Sequence, residues 1–557
     1  MEPKPDHQPA IQMNDNDSYS EIFDVDDQLN RTFENSLSLN YNAASFQENI
    51  STDPKYQEFK KVKFGDCYIF NYQMFEGRKS RLESENDVKR LKHVFGELNF
   101  DVFEFKNLSQ LETTEALKKI SEKDHSQKKY FVCCFLTHGG PETLCTSDKN
   151  INVSDIFSHF TRSSCPTLSG KPKIFIIQAC RGSKYETEES VNCADYFLIE
   201  CNKDYLDFLI VNSTYYDTVS FKSSDEEHSI HHGAFFIDEL CRSLEQFSGE
   251  LELLQILTIV NYRVSYLFLS KSKEKKKNMK KQVPCFVSRL RTDVKFEKPI
   301  TPFVSYETLC FDKRRKESRL GLESTENPLS DKECYQLQNP ENIMFLSIAD
   351  TNIVDLRIAG SILWNSFAGR KYSREEQMQS RTFKRSEIMQ FLKKNLNSSE
   401  ADCLICFLAG DSRNGRLLDA NGRKISKEDV IKTCESFTGK PKIFIYLLRE
   451  LPYVTSDSAD GETDLIPLRT DIIPFHADIL EICITITEWK QAIGPIETFC
   501  QIFNSSSKDF INLLTKINHE LVKNYNFFGR PGSETSDECN HDTFMITSTL
   551  TKHLFLP

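Results

Sequence analysis

The chain has 557 residues, a formal net charge of -12, 39% hydrophobic and 27% charged residues. This length exceeds what one hydrophobic core organises and predicts two large domains. The negative charge argues against a broad nucleic-acid or anionic-membrane surface. No apolar stretch of signal-peptide or membrane-spanning length occurs, so we expect a cytoplasmic protein whose 18 cysteines are reduced thiols.

The predicted elements begin after an acidic leader. Residues 1–55 are rich in Asp, Asn, Ser and Glu and have no sustained helical or strand period, which predicts disorder. From Phe64 onward, the strand-like segments CYIFNY, NFDVFEFK, YFVCCFLTH and KPKIFIIQAC alternate with the helix-like segments ENDVKRLKHVFGEL, LSQLETTEALKKISE and VSDIFSHF. This alternation predicts a mostly parallel sheet with helices on both faces.

Two segments of the chain recur later in the sequence. SGKPKIFIIQACRG (residues 169–182) returns as TGKPKIFIYLLREL (residues 438–451), and YFVCCFLTHGG returns as CLICFLAGDSR. Such repeats predict an internal duplication. A polar linker is expected at residues 298–342, followed by a second copy at residues 343–557.

A candidate site of nucleophilic catalysis lies in the first copy. His138 and Cys180 each follow a buried strand, so adjacent parallel strands would bring them together at the carboxyl edge, where ligands bind in such sheets. A cysteine protease needs a thiolate, a base and N–H donors for the oxyanion. The backbone N–H groups of Gly139 and Cys180 are candidates for those donors.

The motif QACRG, with LTHGG upstream of it, resembles the caspases. The segments YIFNYQMF, DFLIVNST, GAFFIDELC and KKQVPCFVS follow in the family's order, so the resemblance covers residues 60–297. It implies a three-layer α/β/α fold with a mostly parallel six-stranded sheet, here duplicated in tandem. It also implies a cysteine endopeptidase that cleaves after aspartate, is made as a zymogen and acts in apoptosis without a cofactor or metal.

The same resemblance assigns roles to individual residues. Cys180 would be the nucleophile and His138 the general acid and base. The aspartate pocket would contain Arg81, Gln178 and a second basic residue, and Ser220, Phe221 and Lys222 belong to its substrate-binding segment. The family has arginine where Lys222 stands, and lysine lacks the planar fork that grips a carboxylate with two hydrogen bonds. Glu83 replaces the family's usual glycine, so it either competes for Arg81 or points to solvent.

Caspases are usually cut between a large and a small part. Here the large part would be residues 60–182, the linker residues 183–206 and the small part residues 207–297. Asp195 and Asp204 are candidate cleavage sites in that linker. Asp27, in the sequence DVDD, is the candidate for removal of the leader.

The second copy lacks both catalytic residues. In this alignment Gly410 stands opposite His138, and Arg449 stands opposite Cys180. Arginine stays protonated at neutral pH and can serve as neither nucleophile nor base. We therefore expect an inactive copy, which would act as a tethered dimer partner of the active one.

Other cysteines and histidines of the chain have structural interpretations, and other functions compete with aspartate-specific cleavage. Cys403 and Cys406 form a CxxC pair inside an apolar strand, where core packing is favoured, and the histidines near residue 230 fit no zinc spacing. The expected partners are protein substrates with aspartate before the scissile bond and another caspase in a dimer. One alternative is a weakly active or inactive regulator that heterodimerises with other caspases. An enzyme that cuts after Arg or Lys is disfavoured, because it would need an acidic pocket.

Overall fold

Strands and helices alternate along the first half of the chain as predicted. In the computed structural model this half contains β1 (Gly65–Asn71), α1 (Ser84–Glu97), β2 (Phe100–Lys106), α2 (Gln110–Ser121), β3 (Tyr130–Leu136), β4 (Thr143–Cys145), β5 (Asn150–Asn152), α3 (Val153–Ser158), β6 (Lys173–Gln178), β7 (Phe208–Asn212), α4 (Phe235–Phe247), α5 (Leu253–Tyr262), the π-helical turn Arg263–Leu267 and β8 (Cys285–Ser288).

The second half contains a similar series of elements. They are β9 (Ile343–Ala349), α6 (Val354–Ala368), β10 (Arg374–Met378), α7 (Arg385–Leu396), β11 (Cys403–Arg413), β12 (Arg416–Leu417), α8 (Lys427–Lys432), β13 (Lys442–Glu450), β14 (Ile479–Ile486), α9 (Ile493–Asn504), α10 (Phe510–Tyr525) and β15 (Thr543–Ser548).

These elements belong to the part of the chain that the structure describes. The described residues are 63–140, 142–180, 205–215, 233–267, 280–297, 334–337, 342–349, 353–368, 374–378, 383–396, 400–413, 416–425, 427–451, 477–486, 488, 491–504, 509–525, 543–554 and 556. All of them lie in one unit, formed by residues 63–298 and 303–557. Within these ranges, no helix has the length and apolar character needed to cross a bilayer.

The central sheet is buried on both faces, which confirms the predicted layers. In β3, Val132 and Cys134 join one hydrophobic cluster, whereas Phe131 and Cys133 join the other. Successive side chains of a strand point to opposite faces, so an entirely apolar strand supplies both clusters. Helices α1, α4 and α5 contribute to the first cluster, and α2 and α3 contribute to the second. The sheet therefore lies between two helical layers.

The strands of both halves form one continuous sheet. Among the described residues it has 13 strands, and their order is β10-β9-β11-β13-β14-β15-β8-β7-β6-β3-β1-β2, with β12 paired to β11. Read outward from the β15–β8 contact, the order in one half mirrors that in the other. The pairs among β1, β2, β3, β6 and β7 are parallel, whereas β8 runs antiparallel to β7. The mostly parallel sheet is therefore confirmed.

The contact between the halves is an antiparallel strand pair with helices packed beside it. Thr547 of β15 lies opposite Val287 of β8. The side-chain amide of Asn518 in α10 donates to the carbonyl of Leu290 at 2.9 Å, and Asn261 in α5 donates to the carbonyl of Leu550 at 3.2 Å. Each half thus caps a carbonyl of the other, just beyond the strand that joins them.

Candidate active site

His138 and Cys180 are held at the same edge of the sheet by the pairing of β3 with β6. Leu136 lies opposite Gln178 in this parallel ladder, and the N–H of Thr137 donates to the carbonyl of Gln178 at 3.1 Å. His138 and Cys180 are each two residues beyond that last pair. Both side chains are half-buried. The juxtaposition expected from the sequence therefore follows from the strand register.

The imidazole of His138 is fixed by its surroundings. Nε2 lies 2.9 Å from the carbonyl oxygen of Lys79, and the ring contacts that of Phe75, with centroids 4.7 Å apart. The backbone N–H of Cys145 donates to the carbonyl of His138 at 2.8 Å. Because a carbonyl oxygen can only accept, Nε2 carries a hydrogen in this geometry. Nδ1 of the neutral ring is then the atom that can take a proton.

Residue 139 sits too close to the nucleophile's backbone to carry a side chain. A Cβ at Gly139 would lie 2.8 Å from the carbonyl oxygen of Cys180 and 2.9 Å from that of Thr143. Both contacts are with backbone, which cannot move aside as a flexible side chain can. The close approach therefore requires glycine at this position.

Arg81 is a buried cation in the same region. Its side chain is 1% exposed, and its Nε and Nη1 atoms have no hydrogen-bond partner. Gln178, at the end of β6, is also 1% exposed. An unpaired buried guanidinium is costly, and such groups occur mainly where a ligand or a functional role accounts for them. A carboxylate is the ligand whose geometry fits a guanidinium best.

The ionisable groups around Arg81 include Cys180. Burial lowers the pKa of Arg81, while Asp87, Cys180 and Glu83, in decreasing order, raise it. Cys180 is therefore among the ionisable groups close enough to Arg81 to affect its pKa. Glu83 is exposed and has a weaker effect on Arg81 than Asp87 has. Asp87 rather than Glu83 is therefore the main acidic neighbour of Arg81.

Asp87 links Arg81 to the segment that precedes α4. Its Oδ1 accepts a hydrogen bond from the backbone N–H of Ala234 at 2.7 Å. A Cβ at Gly233 would lie 1.9 Å from the same oxygen, so only glycine allows this approach. The sequence analysis missed Asp87, although an acidic residue one helical turn and a half after a pocket arginine is a usable signal.

A cavity of about 340 Å³ lies beside the residues that contact His138. Two of its lining residues are Phe75 and Cys145. The ring of Phe75 contacts the His138 ring, and the N–H of Cys145 donates a hydrogen bond to the carbonyl of His138. The remaining lining residues are mostly polar or charged, and they are Glu76, Arg78, Thr146, Ser147, Asp148, Lys149 and Asn150. Burial raises the pKa of the Cys145 thiol, so this second thiol is a poorer nucleophile at neutral pH.

Several predicted site residues lie outside the described part of the chain. These are the substrate-binding candidates Ser220, Phe221 and Lys222 and the processing candidates Asp27, Asp195 and Asp204. The two described residues that flank the substrate-binding segment are anchored. The N–H of Tyr215 donates to the carbonyl of Val283 at 2.6 Å, and Gly233 packs against Asp87.

The corresponding position in the second half holds an ion pair. The assignment of Gly410 opposite His138 is wrong by one residue. Phe131 and Leu404 each occupy the first pair of their ladder, so Asp411 is the residue that corresponds to His138. The β11–β13 register pairs this Asp411 with Arg449. Arg449 Nε and Nη2 donate to the Asp411 carboxylate at 2.7 and 2.8 Å. This half therefore presents neither a thiol nor an imidazole at that point.

Cys403 and Cys406 of the CxxC pair are both fully buried in β11, as expected for core thiols. The first half thus brings together a thiol, an imidazole and a buried guanidinium at the carboxyl edge of a three-layer α/β sheet. A thiol beside an imidazole is the arrangement that cysteine peptidases use.

Comparison with known proteins gives the same class. The family described as "Caspase domain" matches residues 65–295. Caspase-3 of Oryctolagus cuniculus is 32% identical over 239 residues, which is 42% of this chain and 84% of that protein. Caspase-7 of Gallus gallus is 33% identical over 249 residues, which is 43% of this chain and 78% of that protein.

A solved structure also matches. It is titled "Crystal Structure of Caspase-1 from Spodoptera frugiperda", is 31% identical, and aligns with 42% of this chain and 92% of that chain at a TM-score of 0.38. The sequence relatives make the assignment plain: this chain belongs to the caspase family. The homology supports a caspase protease.

Proposed function

We propose that residues 60–297 form a cysteine endopeptidase that cleaves proteins after aspartate, is made as a zymogen and acts in apoptosis. The observation that carries the proposal is the buried Arg81, whose Nε and Nη1 lack partners beside the candidate nucleophile. A substrate aspartate would satisfy those donors. Gln178 and Lys222 would complete the pocket, and Ser220 and Phe221 would line the neighbouring subsite.

The proposed reaction uses the fixed orientation of His138. Nδ1 takes the proton of the Cys180 thiol, and the thiolate attacks the backbone carbonyl carbon of the bound aspartate. The N–H groups of Gly139 and Cys180 stabilise the oxyanion. His138 then gives its proton to the leaving amine, and it activates the water that hydrolyses the thioester.

The first test uses a DEVD-type fluorogenic peptide with the full chain and a Cys180→Ala variant as control. We expect hydrolysis by the wild type and none by the variant. Equal signals from the two proteins would contradict the proposal. Mass spectrometry of the wild type would then test cleavage after Asp27, Asp195 or Asp204, and the Cys180→Ala protein should remain intact.

We further propose that residues 343–557 are an inactive duplicate of the catalytic domain and its dimer partner within the same chain. The mirrored strand order about the β8–β15 pair supports this, as does the ion pair of Asp411 with Arg449. The reciprocal caps of Leu290 and Leu550 support it further. A tether of matching length raises the effective concentration of such a partner to about the millimolar range.

This arrangement predicts that one chain is sufficient for activity. Specific activity should stay constant between nanomolar and micromolar protein, and the active species should have the mass of one 64.5 kDa chain or of its cleaved parts together. Activity that rises with concentration, together with a species of twice that mass, would contradict the in-cis pairing.

The alternative function is a regulator that heterodimerises with other caspases. Its difficulty is that the outer edge of β8 already pairs with β15. A regulator would have to break that pair before another caspase could use the edge. An inactive wild type that still binds a second caspase would favour this alternative.

A further inference from the structure

Two aspartates at equivalent places in the two halves are stabilised in different ways. Asp207 precedes β7 and Asp478 precedes β14, and both have a positive φ, 62° and 65°. Asp207 is held within its own half by Arg291, whose Nε donates to it at 2.8 Å. At the position that matches Arg291, directly after the corresponding residues Leu290 and Leu550, the second half has Thr551.

Asp478 therefore receives hydrogen bonds from hydroxyl groups instead of a guanidinium. Tyr335 donates to Oδ1 at 2.6 Å, and Thr551 also donates to Oδ1. The third donor comes from the other half, because the hydroxyl of Tyr266 lies 3.1 Å from Oδ2. Asp478 is fully buried, so these hydrogen bonds to a carboxylate are of the strong, charge-assisted kind.

Tyr266 belongs to the π-helical turn Arg263–Leu267, an irregular backbone element often found at functional sites. Burial and the Asp478 carboxylate raise the pKa of Tyr266 well above its usual range. Its hydroxyl consequently remains a donor at physiological pH. The turn is thus tied to the second half by a side chain that does not titrate under working conditions.

A chain of hydrogen bonds runs from Tyr266 to the nucleophile's loop. The ammonium of Lys281 donates to the carbonyl of Tyr266 at 2.8 Å. Its neighbour Gln282 donates to the carbonyl of Ser213 at 2.7 Å. The hydroxyl of Ser213 donates to the carbonyl of Ala179 at 3.2 Å, directly before Cys180.

The segment at residues 280–283 also carries one end of the substrate-binding loop. The carbonyl of Val283 accepts from the N–H of Tyr215, the last described residue before Ser220, Phe221 and Lys222. A shift of the π-helical turn would therefore be transmitted both to Ser213 and to Tyr215. Coupling through a contiguous set of hydrogen bonds is a physical route by which one half can affect the other.

We infer that Tyr266 and Asp478 are positioning residues through which the second half holds the active-site loops of the first. The inference rests on the proposed proteolytic function. The second half would then do more than pair its strand β15 with the edge of β8. The buried carboxylate of Asp478 would set the position of the segment at residues 280–283, which supports both the loop of Cys180 and the substrate-binding residues.

The test compares Tyr266→Phe with Tyr335→Phe in the full chain. Each variant removes one tyrosine hydroxyl from the same carboxylate, but only Tyr266 is connected to Lys281 and Ser213. We expect kcat/KM for a DEVD-type peptide to fall at least about fivefold in Tyr266→Phe and to stay within about twofold of wild type in Tyr335→Phe. The thermal midpoint should fall at least as far in Tyr335→Phe as in Tyr266→Phe, because the Tyr335 hydroxyl also accepts from the N–H of Thr551 at 3.3 Å.

Hydrogen exchange gives a readout that does not depend on activity. Amides in residues 205–215 and 280–288 should exchange faster in Tyr266→Phe than in Tyr335→Phe. Wild-type kcat/KM and exchange in Tyr266→Phe, or equal losses in both variants, would overturn the inference. If the wild type itself is inactive, the proposed function fails, and the exchange comparison alone decides the inference.

Discussion

Arg81 offers a test in which stability and activity should move apart. Its guanidinium is 1% exposed, and two of its nitrogens have no partner. Methionine has a similar length and no polar hydrogen to satisfy. Each buried polar group without a partner costs about 1 to 3 kcal/mol. The change Arg81→Met removes this cost, although it also takes a positive charge away from Asp87. We therefore expect the free energy of unfolding to stay equal or to rise by about 2 kcal/mol.

The same change should remove most of the activity. Loss of one partner from a buried, hydrogen-bonded charge pair costs about 2 to 5 kcal/mol, or roughly 30-fold to several thousand-fold in kcat/KM. The assay is hydrolysis of a DEVD-type peptide beside a calorimetric scan. A net gain of 1 kcal/mol corresponds to about 2 °C in the thermal midpoint of a larger domain.

Arg90 provides the matched control. It is also buried, but its Nη1 lies 2.6 Å from the carboxylate of Asp238. The change Arg90→Met removes the nearer cation of the buried Asp238 carboxylate, which keeps Arg242 at 3.4 Å, and it should destabilise the protein by about 1.5 to 3 kcal/mol. If Arg81→Met lowers the thermal midpoint as far as Arg90→Met does, or keeps wild-type kcat/KM, the aspartate-pocket interpretation of Arg81 is wrong.

Three further predictions concern stability. Burial by itself raises the pKa of Asp66, but hydrogen bonds from His125 and Lys128 outweigh it and hold the pKa at about 2. Because the pKa is lowered, Asp66 contributes about 2 kcal/mol to the free energy of unfolding above pH 4, and this contribution is lost as the pH falls toward 2. Acid titrations should therefore show a smaller loss of stability in Asp66→Asn than in the wild type. An unchanged stability profile in the variant would contradict this. The pair of Asp411 with Arg449 is about one-third exposed, so a double-mutant cycle to alanine should give a coupling of about 1 kcal/mol or less and wild-type peptide hydrolysis throughout. Residues of both halves share the core cluster on each face of the sheet, so calorimetry should record one unfolding transition for this unit, and two separated transitions would refute the shared core.

Local patterns in the sequence were sufficient to predict the strands and helices and to place His138 and Cys180 at one edge of the sheet. The strands that carry His138 and Cys180 are short apolar runs, which predict buried parallel strands, and the residues just beyond them then share an edge. Arg81 was placed by its resemblance to a family motif. Its missing hydrogen-bond partners could not be predicted, because they depend on every side chain packed around it.

Backbone groups were beyond the reach of sequence patterns. The carbonyl of Lys79 orients His138, yet every residue has a carbonyl, so nothing in the letter at position 79 marks it. The position opposite His138 was within reach, because YFVCCFLTHGG paired letter by letter with CLICFLAGDSR sets Asp411 there, and the Gly410 assignment departed from that pairing by one residue. The β11–β13 ladder, which pairs Asp411 with Arg449, agrees with the letter-by-letter pairing.

The two halves differ in where corresponding strands stop, and this explains why only one carries the candidate site. In the first half β3 ends at Leu136 and β6 at Gln178, so the ladder stops before His138 and Cys180. In the second half β11 and β13 continue past the corresponding pair, to Arg413 and Glu450. There the extended ladder and the Asp411–Arg449 ion pair occupy the edge, so the second half has strand pairing at the place where the first half presents His138 and Cys180.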